Sequence, residues 1–329
     1  MSTSIYETCL HNAAFYVIPH PGFLQVSGED RLAFLQRQTT NDIRTLSPGR
    51  TLITILTSPT ARILDVFYAF EEIPTASVPV LNLVSLPGQS EKTSHYLRSR
   101  VFFMDKVSLT DASSQYTQID LDGSQALEVL RQLGVETSAE ANRVIHVHGT
   151  GLTFSLIAKK GLSGPGYRLL IEKSNAESLI HALKASGIQP LPPDIYQILS
   201  VEAGIPQAAA ELTEAYSPLE IGLIEAISMN KGCYTGQEII ARQINFDKVT
   251  RHLAGLSLDA PVQPGETAFV DDKPVGLVTS TVQSPRLGSI GLAVLRRPYN
   301  EPGTALQIGQ SATPLRAVVT QLPFTSPKI

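Results

Sequence analysis

The sequence predicts an α+β protein whose last quarter forms a separate β-rich domain. Up to about residue 190, strand-like segments alternate with segments of helical periodicity, an order typical of α+β folds. After Asp247 the helical periodicity ends, and Gly/Pro turns separate short β-branched runs. These runs suit a small antiparallel barrel or sandwich. The length of 329 residues, at roughly 150 per domain, also predicts two domains.

The first 135 residues contain four predicted elements. A capped helix start lies at Ser27–Asp30, and a strand-like run follows at Thr51–Leu56. Val101–Leu109 is apolar and β-branched enough to predict another strand. Ser124–Leu133 has leucines at a spacing of three and is closed by Gly134, which predicts a helix.

The middle of the chain repeats this alternation. Leu152–Leu156 places its apolar side chains on one strand face, and Tyr167–Ile171 begins a second strand. Ser174 and Glu177 form a capping-box pattern before a helix that Gly187 ends. The middle of the chain therefore also predicts an α+β arrangement.

The C-terminal domain is predicted from turns and short strands. Asp271–Pro274 is typical of a hairpin turn, and we place the domain boundary between residues 246 and 247. The N-terminal domain is then 1–246 and the β-rich domain 247–329. The clearest predicted strands of the second domain are Leu253–Leu258, Gly276–Thr281 and Ala317–Leu322.

Composition and charge exclude several classes of protein. The 26 Lys and Arg against 30 Asp and Glu give a net charge of -4, so no bulk positive field holds a nucleic-acid backbone. The longest stretch free of charged residues and histidine, Ile73–Ser90, contains three prolines and is not a membrane span. Two cysteines cannot build a disulfide framework, which favours a reducing compartment. Residues 1–10 show no targeting pattern, and we expect a cytoplasmic location.

The sharpest local motif is Lys231–Glu238, which reads KGCYTGQE. Its two glycines imply a tight backbone that presents the thiol of Cys233 instead of burying it. Lys231 would favour the thiolate, so Cys233 could act as a nucleophile, a redox centre or a soft metal ligand. The alternative is a buried cysteine that acts as a small hydrophobe.

A second candidate is Glu202, which lies in the apolar run Val201–Pro206. A carboxylate in such a run is costly unless a group pairs with it, and a heteroaromatic ring with two adjacent N–H donors would suit both oxygens. The alternative is a helix-end carboxylate that faces water. His146 and His148 share a strand face, but two further ligands for zinc are missing nearby, and we predict no metal site.

Together these motifs resemble a known family. Lys231–Glu238, continued to Ala241 and Arg242, resembles the signature of the YgfZ family of folate-binding proteins, whose eukaryotic relatives assist mitochondrial iron–sulfur assembly. Other segments resemble the wider superfamily of glycine-cleavage T-proteins. These segments are Val26–Gln36, Thr57–Asp65, Val201–Pro206 and Pro274–Leu292.

The resemblance implies two interleaved α+β lobes that enclose a central cavity for tetrahydrofolate, followed by a C-terminal antiparallel β-barrel. It places the pterin-binding glutamate on Glu202 and a cation for the anionic folate tail on Arg242, with Lys231 as the other candidate. Cys233 would be the reactive residue of the site. The implied partners are iron–sulfur proteins or assembly factors.

One departure from the T-proteins bears on activity. Their catalytic aspartate belongs to the region that matches Asn82–Met104, yet no aspartate occurs between Asp65 and Asp105. Without it, aminomethyl transfer loses its general base. The leading hypothesis is therefore a folate-dependent factor for iron–sulfur cluster assembly or repair, which supports cluster enzymes including those that modify tRNA. The alternatives are an aminomethyltransferase and a tRNA-binding module, and the net charge of -4 makes the tRNA-binding module the weakest of the three hypotheses.

Overall fold

The computed structural model describes residues 2–71, 79–138, 140, 142–149, 151–309 and 315–324. The chain divides into two compact units. The first comprises Met1–Pro192 and Glu225–Gln237, and the second comprises Pro193–Ile224 and Glu238–Ile329. The domain boundary that the sequence suggests at residue 246 stays a prediction.

The first unit contains two β-sheets. One has six strands, and all its neighbouring pairs are antiparallel except the first pair in the order given next, which is parallel. In spatial order the strands are β11 (Gln189–Pro190), β1 (Ala14–Val17), β7 (Tyr116–Asp122), β10 (Pro165–Glu172), β9 (Leu152–Lys160) and β8 (Val144–Gly149). The helices of this part are α1 (Ser2–His11), α4 (Ala126–Gln132) and α5 (Ala176–Ala185). Apolar side chains of α4 and α5 share one buried core with this sheet.

The second sheet of this unit has five strands and is antiparallel throughout. In spatial order the strands are β3 (Leu52–Thr57), β4 (Ile63–Glu71), β5 (Val80–Ser85), β2 (Gly22–Ser27) and β6 (Ser108–Asp111). Its helices are α2 (Arg31–Gln38) and α3 (Ser90–Arg98). Phe34 and Leu35 of α2 and Leu97 of α3 are fully buried in the core of this sheet. A further cluster, which includes Phe70 and Ile157, packs the two sheets together.

The second unit is a closed six-stranded antiparallel barrel with helix α6 (Pro193–Glu202) and most of helix α7 (Gln237–Asn245). Around the barrel the strands are β12 (Arg251–Leu258), β15 (Gly288–Arg296), β14 (Lys273–Ser284), β13 (Thr267–Val270), β16 (Ala305–Ile308) and β17 (Leu315–Thr320). Closure pairs each of these strands with a neighbour on both sides. The predicted α+β class with a C-terminal antiparallel barrel is confirmed.

The predicted hairpin at Asp271–Pro274 is confirmed, and its geometry explains the sequence. Asp271 and Asp272 have φ of 48° and 59° and join β13 to β14. Two consecutive residues with positive φ form the tight turn that matches the twist of a hairpin, and aspartate tolerates this conformation.

Two local predictions are wrong. The strand predicted over Val101–Leu109 is absent before Ser108, because residues 102–105 form a turn in which Asp105 accepts a hydrogen bond from the backbone N–H of Phe102. The capping box at Ser174 is also absent, since α5 begins at Ala176 after a short 3₁₀ turn and has Asn175 as its N-cap. Short-range turn chemistry outweighs the sequence pattern in both places.

Candidate functional site

The loop Lys231–Gly236, called the thiol loop below, is anchored to the end of α2. The ammonium of Lys231 is buried and donates hydrogen bonds to the carbonyls of Thr39, at 2.6 Å, and Asn41, at 2.7 Å. Thr39 is the C-cap residue of α2 and Asn41 follows two residues later, so the ammonium binds carbonyl oxygens just beyond the end of the helix. Burial lowers the pKa of Lys231 to about 8.

Two hydrogen bonds hold the other end of the thiol loop, and Tyr234 is buried beside Lys231. The N–H of Thr235 donates to the carbonyl of Arg37 at 3.2 Å, and the hydroxyl of Thr57 donates to the carbonyl of Thr235 at 2.6 Å. Tyr234 is buried, its ring centroid lies 5.0 Å from Nζ of Lys231, and burial raises its pKa to about 12. The loop is therefore fixed on both sides of Cys233.

The two glycines of the motif differ in what they do. Gly236 has φ of 85°, and a Cβ there would lie 2.8 Å from the carbonyl oxygen of Ser58, so only glycine fits without a shift. Gly232 has no positive φ, and a Cβ at that position would have open space within 4 Å of it in the described part of the chain. The tight backbone predicted from the motif is thus a property of Gly236.

Cys233 carries a free, exposed thiol, in the position that the motif predicts. The other cysteine, Cys9 on α1, is free but fully buried, with its Sγ 3.9 Å from the hydroxyl oxygen of Ser163. Burial raises the pKa of Cys9 to about 12, which keeps it protonated. Of the two cysteines, Cys233 is the one open to a reagent or partner, and its catalytic role stays a prediction.

Glu202 is the last residue of α6 and is buried, so the alternative of a water-facing carboxylate is wrong. The hydroxyl of Ser284 on β14 donates to its Oε1 at 2.5 Å. The guanidinium of Arg286 donates to its Oε2 at 3.2 Å, and the Arg286 side chain is 44% exposed. The buried carboxylate therefore has a neutral donor on one oxygen and, on the other, a cation that solvent reaches.

Arg242 lies on α7 and is exposed. Its guanidinium forms a salt bridge of 2.7 Å with Glu238, one helical turn earlier, which is also exposed. Of the four predicted site residues, Lys231 and Cys233 both lie in the thiol loop, where the Lys231 ammonium is buried on two backbone carbonyls and Cys233 is exposed. Arg242 is paired with a neighbour on its own helix, and Glu202 is held by two residues of the barrel unit.

Two buried carboxylates of the second unit were not predicted. Glu211 accepts hydrogen bonds from the hydroxyl of Ser280 at 2.6 Å and from the N–H of Gln207 at 2.9 Å. Glu220 pairs with Arg251 at 2.7 Å. The residues around both glutamates lack helical or strand periodicity, so no local pattern signals that these carboxylates are buried.

A buried network of charges in the six-stranded sheet was also missed. Asp120 and Arg168 are opposite each other on β7 and β10, with Nε and Oδ1 2.7 Å apart. Lys159 on β9 lies 3.3 Å from Asp120 and 3.2 Å from Asp122. Burial lowers the pKa of Lys159, but attraction to the two aspartates outweighs burial and raises it overall. Charged residues at alternate positions of strand-like runs were the available signal.

Asp65 on β4 is fully buried, and none of the groups that shift its pKa is a cation. Its oxygens accept hydrogen bonds from the hydroxyl of Thr93 at 2.6 Å and from the backbone N–H groups of Val66 and Leu86. Burial raises the pKa of Asp65 to about 7, although these bonds act in the opposite direction. Within residues 82–104, all of which the structure describes, Glu91 is the single carboxylate, and it is exposed in the first turn of α3.

Neither a metal centre nor a membrane-spanning helix is present among the described residues. No cluster of three or more His, Cys, Asp or Glu side chains in these residues has the geometry to hold a metal ion. No helix in this part of the chain combines the length and apolar character needed to cross a bilayer.

Known proteins match the chain over nearly its whole length. The GCVT N-terminal domain matches residues 6–231, and the glycine cleavage T-protein C-terminal barrel domain matches residues 251–325. A chloroplastic protein of Arabidopsis thaliana that carries the name "putative transferase" is 31% identical over 93% of this chain and 70% of its own. An aminomethyltransferase of Oceanobacillus iheyensis is 27% identical over 97% of this chain and 88% of its own.

The fold has a counterpart among solved structures. The glycine cleavage system aminomethyltransferase T of Bartonella henselae superposes with a TM-score of 0.86 at 19% identity, over 98% of this chain and 89% of the other. At that identity the likeness concerns the fold alone. The two domain matches, however, cover most of the sequence, and the second of them lies within the barrel unit. The chain therefore belongs to the glycine cleavage T-protein family.

Proposed function

We propose that this protein binds tetrahydrofolate and serves as an accessory factor for iron–sulfur cluster assembly or repair, in the manner of the YgfZ family. It would support cluster enzymes, including those that modify tRNA, and Cys233 would act as a thiolate toward a cluster, a persulfide or a partner protein. The observation that carries the folate part is the buried carboxylate of Glu202 with a half-exposed arginine as one of its donors.

The residues around Glu202 suit a pterin. The pterin edge offers a ring N–H and an amino group, which the two oxygens of one carboxylate can accept together. Arg286 makes the longer of the two bonds to the carboxylate and is partly exposed, so a ligand can replace it while Ser284 stays in place. A pair of N–H donors in place of Arg286 would keep this buried carboxylate stabilised, because removing a partner from a buried charge costs free energy.

Two cations are candidates for the anionic folate tail. The ammonium of Lys231 already donates to two backbone carbonyls, whereas Arg242 is exposed and held by a surface salt bridge to Glu238. Exposed salt bridges contribute about 0 to 1 kcal/mol, so a carboxylate of the ligand can compete with Glu238. We therefore favour Arg242 as the tail-binding residue and keep Lys231 as the second candidate.

Aminomethyl transfer with tetrahydrofolate is the alternative function, and the names of the bacterial relatives favour it. That reaction needs a general base, and the single carboxylate within residues 82–104 is the exposed Glu91. Formation of methylenetetrahydrofolate by the purified protein with a lipoylated carrier protein is the assay for it. Turnover in that assay would replace the accessory role with an enzymatic one.

Calorimetric titration of tetrahydrofolate under reducing conditions tests the proposed ligand. Wild type should bind, and Glu202→Gln should bind at least about tenfold more weakly, since a hydrogen bond to a charged group contributes about 1.5 to 3 kcal/mol. Glu211→Gln is the matched control, because Glu211 is a buried carboxylate of the same unit that also accepts from a serine of β14. Equal loss in both variants, or no binding by wild type, would contradict the assignment of Glu202.

The thiol part of the proposal has its own test. In cells that lack the wild-type protein, Cys233→Ala should lower the activity of iron–sulfur enzymes, and Cys9→Ala should not, because Cys9 is buried and protonated. Normal cluster-enzyme activity with Cys233→Ala would refute the thiol role and leave folate binding untouched. The cytoplasmic location stays a prediction from the sequence.

A further inference from the structure

Three consecutive large apolar side chains are exposed at the turn that follows α3. Phe102, Phe103 and Met104, called the apolar tip below, are 65%, 97% and 74% exposed. Single exposed apolar residues are ordinary, but a contiguous exposed group that includes two aromatic rings is typical of an interaction site. This is the same segment that the sequence pattern presents as a strand.

The apolar tip is held in a defined shape by polar contacts at its base. Asp105 accepts from the N–H of Phe102 at 3.0 Å, and its own N–H donates to the carbonyl of Phe102 at 2.9 Å. The guanidinium of Arg37 donates at 2.8 Å to both oxygens of Asp105 and lies 5.9 Å from the ring centroid of Phe102. A surface already fixed in this way loses little conformational entropy when a partner binds it.

The apolar tip and the thiol loop share one anchoring residue. The side chain of Arg37 holds Asp105 at the base of the tip, and the carbonyl of the same Arg37 accepts from the N–H of Thr235 in the thiol loop. Both segments lie in the first unit. A partner that covers the tip is therefore brought to the part of the molecule that exposes Cys233.

Two exposed arginines lie beside the apolar tip. Residues 91–106 contain four Lys or Arg and two Asp or Glu, and Glu29 and Asp30 contact Lys106 from a neighbouring segment, which leaves Arg98 and Arg100 as the exposed arginines of this stretch. Arg98 and Arg100 are exposed and form no salt bridge with the described residues: Arg98 donates to the carbonyl of Leu109, and Arg100 stacks on Tyr96. Acidic side chains of a partner would find these two guanidinium groups free to pair.

We propose that the apolar tip, with Arg98 and Arg100, is the docking surface for an acidic protein partner, whose apolar side chains cover Phe103 and whose sulfur-bearing group is thereby delivered to Cys233. The inference deepens the proposed function and rests on the role assigned there to Cys233. An anionic membrane fits less well, because membrane-binding basic clusters contain about four to eight Lys or Arg, and of the four in residues 91–106 Lys106 already pairs with Glu29.

Disulfide exchange at Cys233 can report the docking. The probes are synthetic peptides with a Phe-Leu anchor among glutamates and one cysteine held as a mixed disulfide with thionitrobenzoate. The thiolate of Cys233 attacks the peptide sulfur, a new S–S bond forms, and the old bond breaks with thionitrobenzoate leaving as the coloured thiolate, while the proton of Cys233 passes to solvent. Spacers of about two to ten residues between anchor and cysteine cover the range of distances to be bridged.

Each peptide rate is divided by the rate of the same variant with the small reagent dithiobis(nitrobenzoate). At the best spacer, the acidic peptide should react about tenfold faster than peptides with lysine for glutamate or serine for the anchor. Phe103→Ser should reduce the preference for the acidic peptide over both other peptides to less than about twofold. Arg100→Gln should reduce the preference for the glutamate peptide over the lysine peptide. Phe246→Ser is the matched control, since Phe246 is another exposed phenylalanine beside a cation, Lys248, and should keep the full preference.

The different failures point to different errors. No preference at any spacer, or a preference that persists in Phe103→Ser, would overturn the docking surface while tetrahydrofolate binding and the small-reagent reaction stand. A Cys233 that the small reagent does not modify overturns the thiol role and this inference with it. The chain has no tryptophan, so Phe103→Trp gives a single fluorescent reporter. A blue shift with vesicles of phosphatidylcholine and about 30% phosphatidylserine at physiological salt would assign the tip to a membrane instead.

Discussion

Replacing Asp65 with asparagine should make the protein more stable, and increasingly so as the pH rises. The carboxylate is fully buried, three hydrogen bonds hold it, and burial raises its pKa to about 7. Asparagine keeps the shape, its oxygen can accept from both backbone N–H groups, and its amide can donate to the hydroxyl of Thr93. The substitution therefore removes a buried ionisable group without removing its contacts.

The magnitude follows from the two pKa values. In the unfolded chain Asp65 ionises near pH 3.8, whereas in the folded protein it stays protonated up to about pH 7. The folded state thus binds the extra proton, and wild-type stability falls between these values by about 1.4 kcal/mol for each pH unit. Below pH 3.8 Asp65 causes no loss of folding stability. Above about pH 7 the loss of folding stability reaches its limit of about 4 kcal/mol.

Urea unfolding of wild type and Asp65→Asn at several pH values from about 5 to 8 measures this effect. The stability difference in favour of the variant should grow by up to about 3 kcal/mol across that range. Asp105→Asn is the control, because hydrogen bonding by Phe102 N–H and the contact with Arg37 lower the pKa of Asp105, and its contribution is constant above about pH 5. A difference for Asp65→Asn that is flat, or that shrinks with pH, would refute the raised pKa.

Three further results are expected. Thiol titration with dithiobis(nitrobenzoate) should count one reactive cysteine in the native protein and two in urea, because Cys9 is buried; two fast thiols in the native state would contradict the packing of α1. Gly236→Ala should lower the free energy of unfolding by about 1 to 3 kcal/mol through backbone strain and the close carbonyl of Ser58. Gly232→Ala should change the free energy of unfolding by no more than about 0.5 kcal/mol, and equal changes in the two variants would refute the assigned geometry. Lys159→Met should destabilise by about 3 to 5 kcal/mol because it removes the cation that contacts both Asp120 and Asp122, whereas Arg168 pairs with Asp120. A smaller loss than for Lys159→Arg would argue against the buried network.

Local signals were sufficient for the β-rich C-terminal domain and for the exposure of Cys233. The Asp271–Pro274 turn and the Gly/Pro-separated runs specify hairpins with neighbours close in sequence, and six such strands can close a barrel. Gly236 likewise fixes the thiol loop through its own backbone geometry. In each case the physical cause lies within a few residues of the feature predicted.

Features that depend on distant partners were not predictable in the same way. Asp120 finds Arg168 only when β7 and β10 pair, 48 residues apart, and Glu202 finds Ser284 82 residues later. The spacing of residues in the sequence does not determine the order of strands in a sheet, so it does not predict which buried charged residues form pairs. Within the strand predicted over Val101–Leu109, the turn that forms instead is set locally by Asp105 and Phe102, but Arg37, 68 residues from Asp105, also holds that carboxylate.

The structure also separates what the Lys231–Glu238 motif does for the fold from what it leaves for chemistry. Lys231 binds two carbonyls just after α2, Tyr234 is buried, and Gly236 allows the close approach to Ser58. Contacts within the fold therefore account for these three positions of the motif, and a match there is not by itself evidence of a reaction. Cys233 supports no part of the fold in this way, because its thiol is free and exposed while its neighbours on both sides hold it still. A thiol function accordingly depends on this one residue, which is why Cys233→Ala is the decisive variant and Gly232→Ala, beside it in the same loop, its natural control.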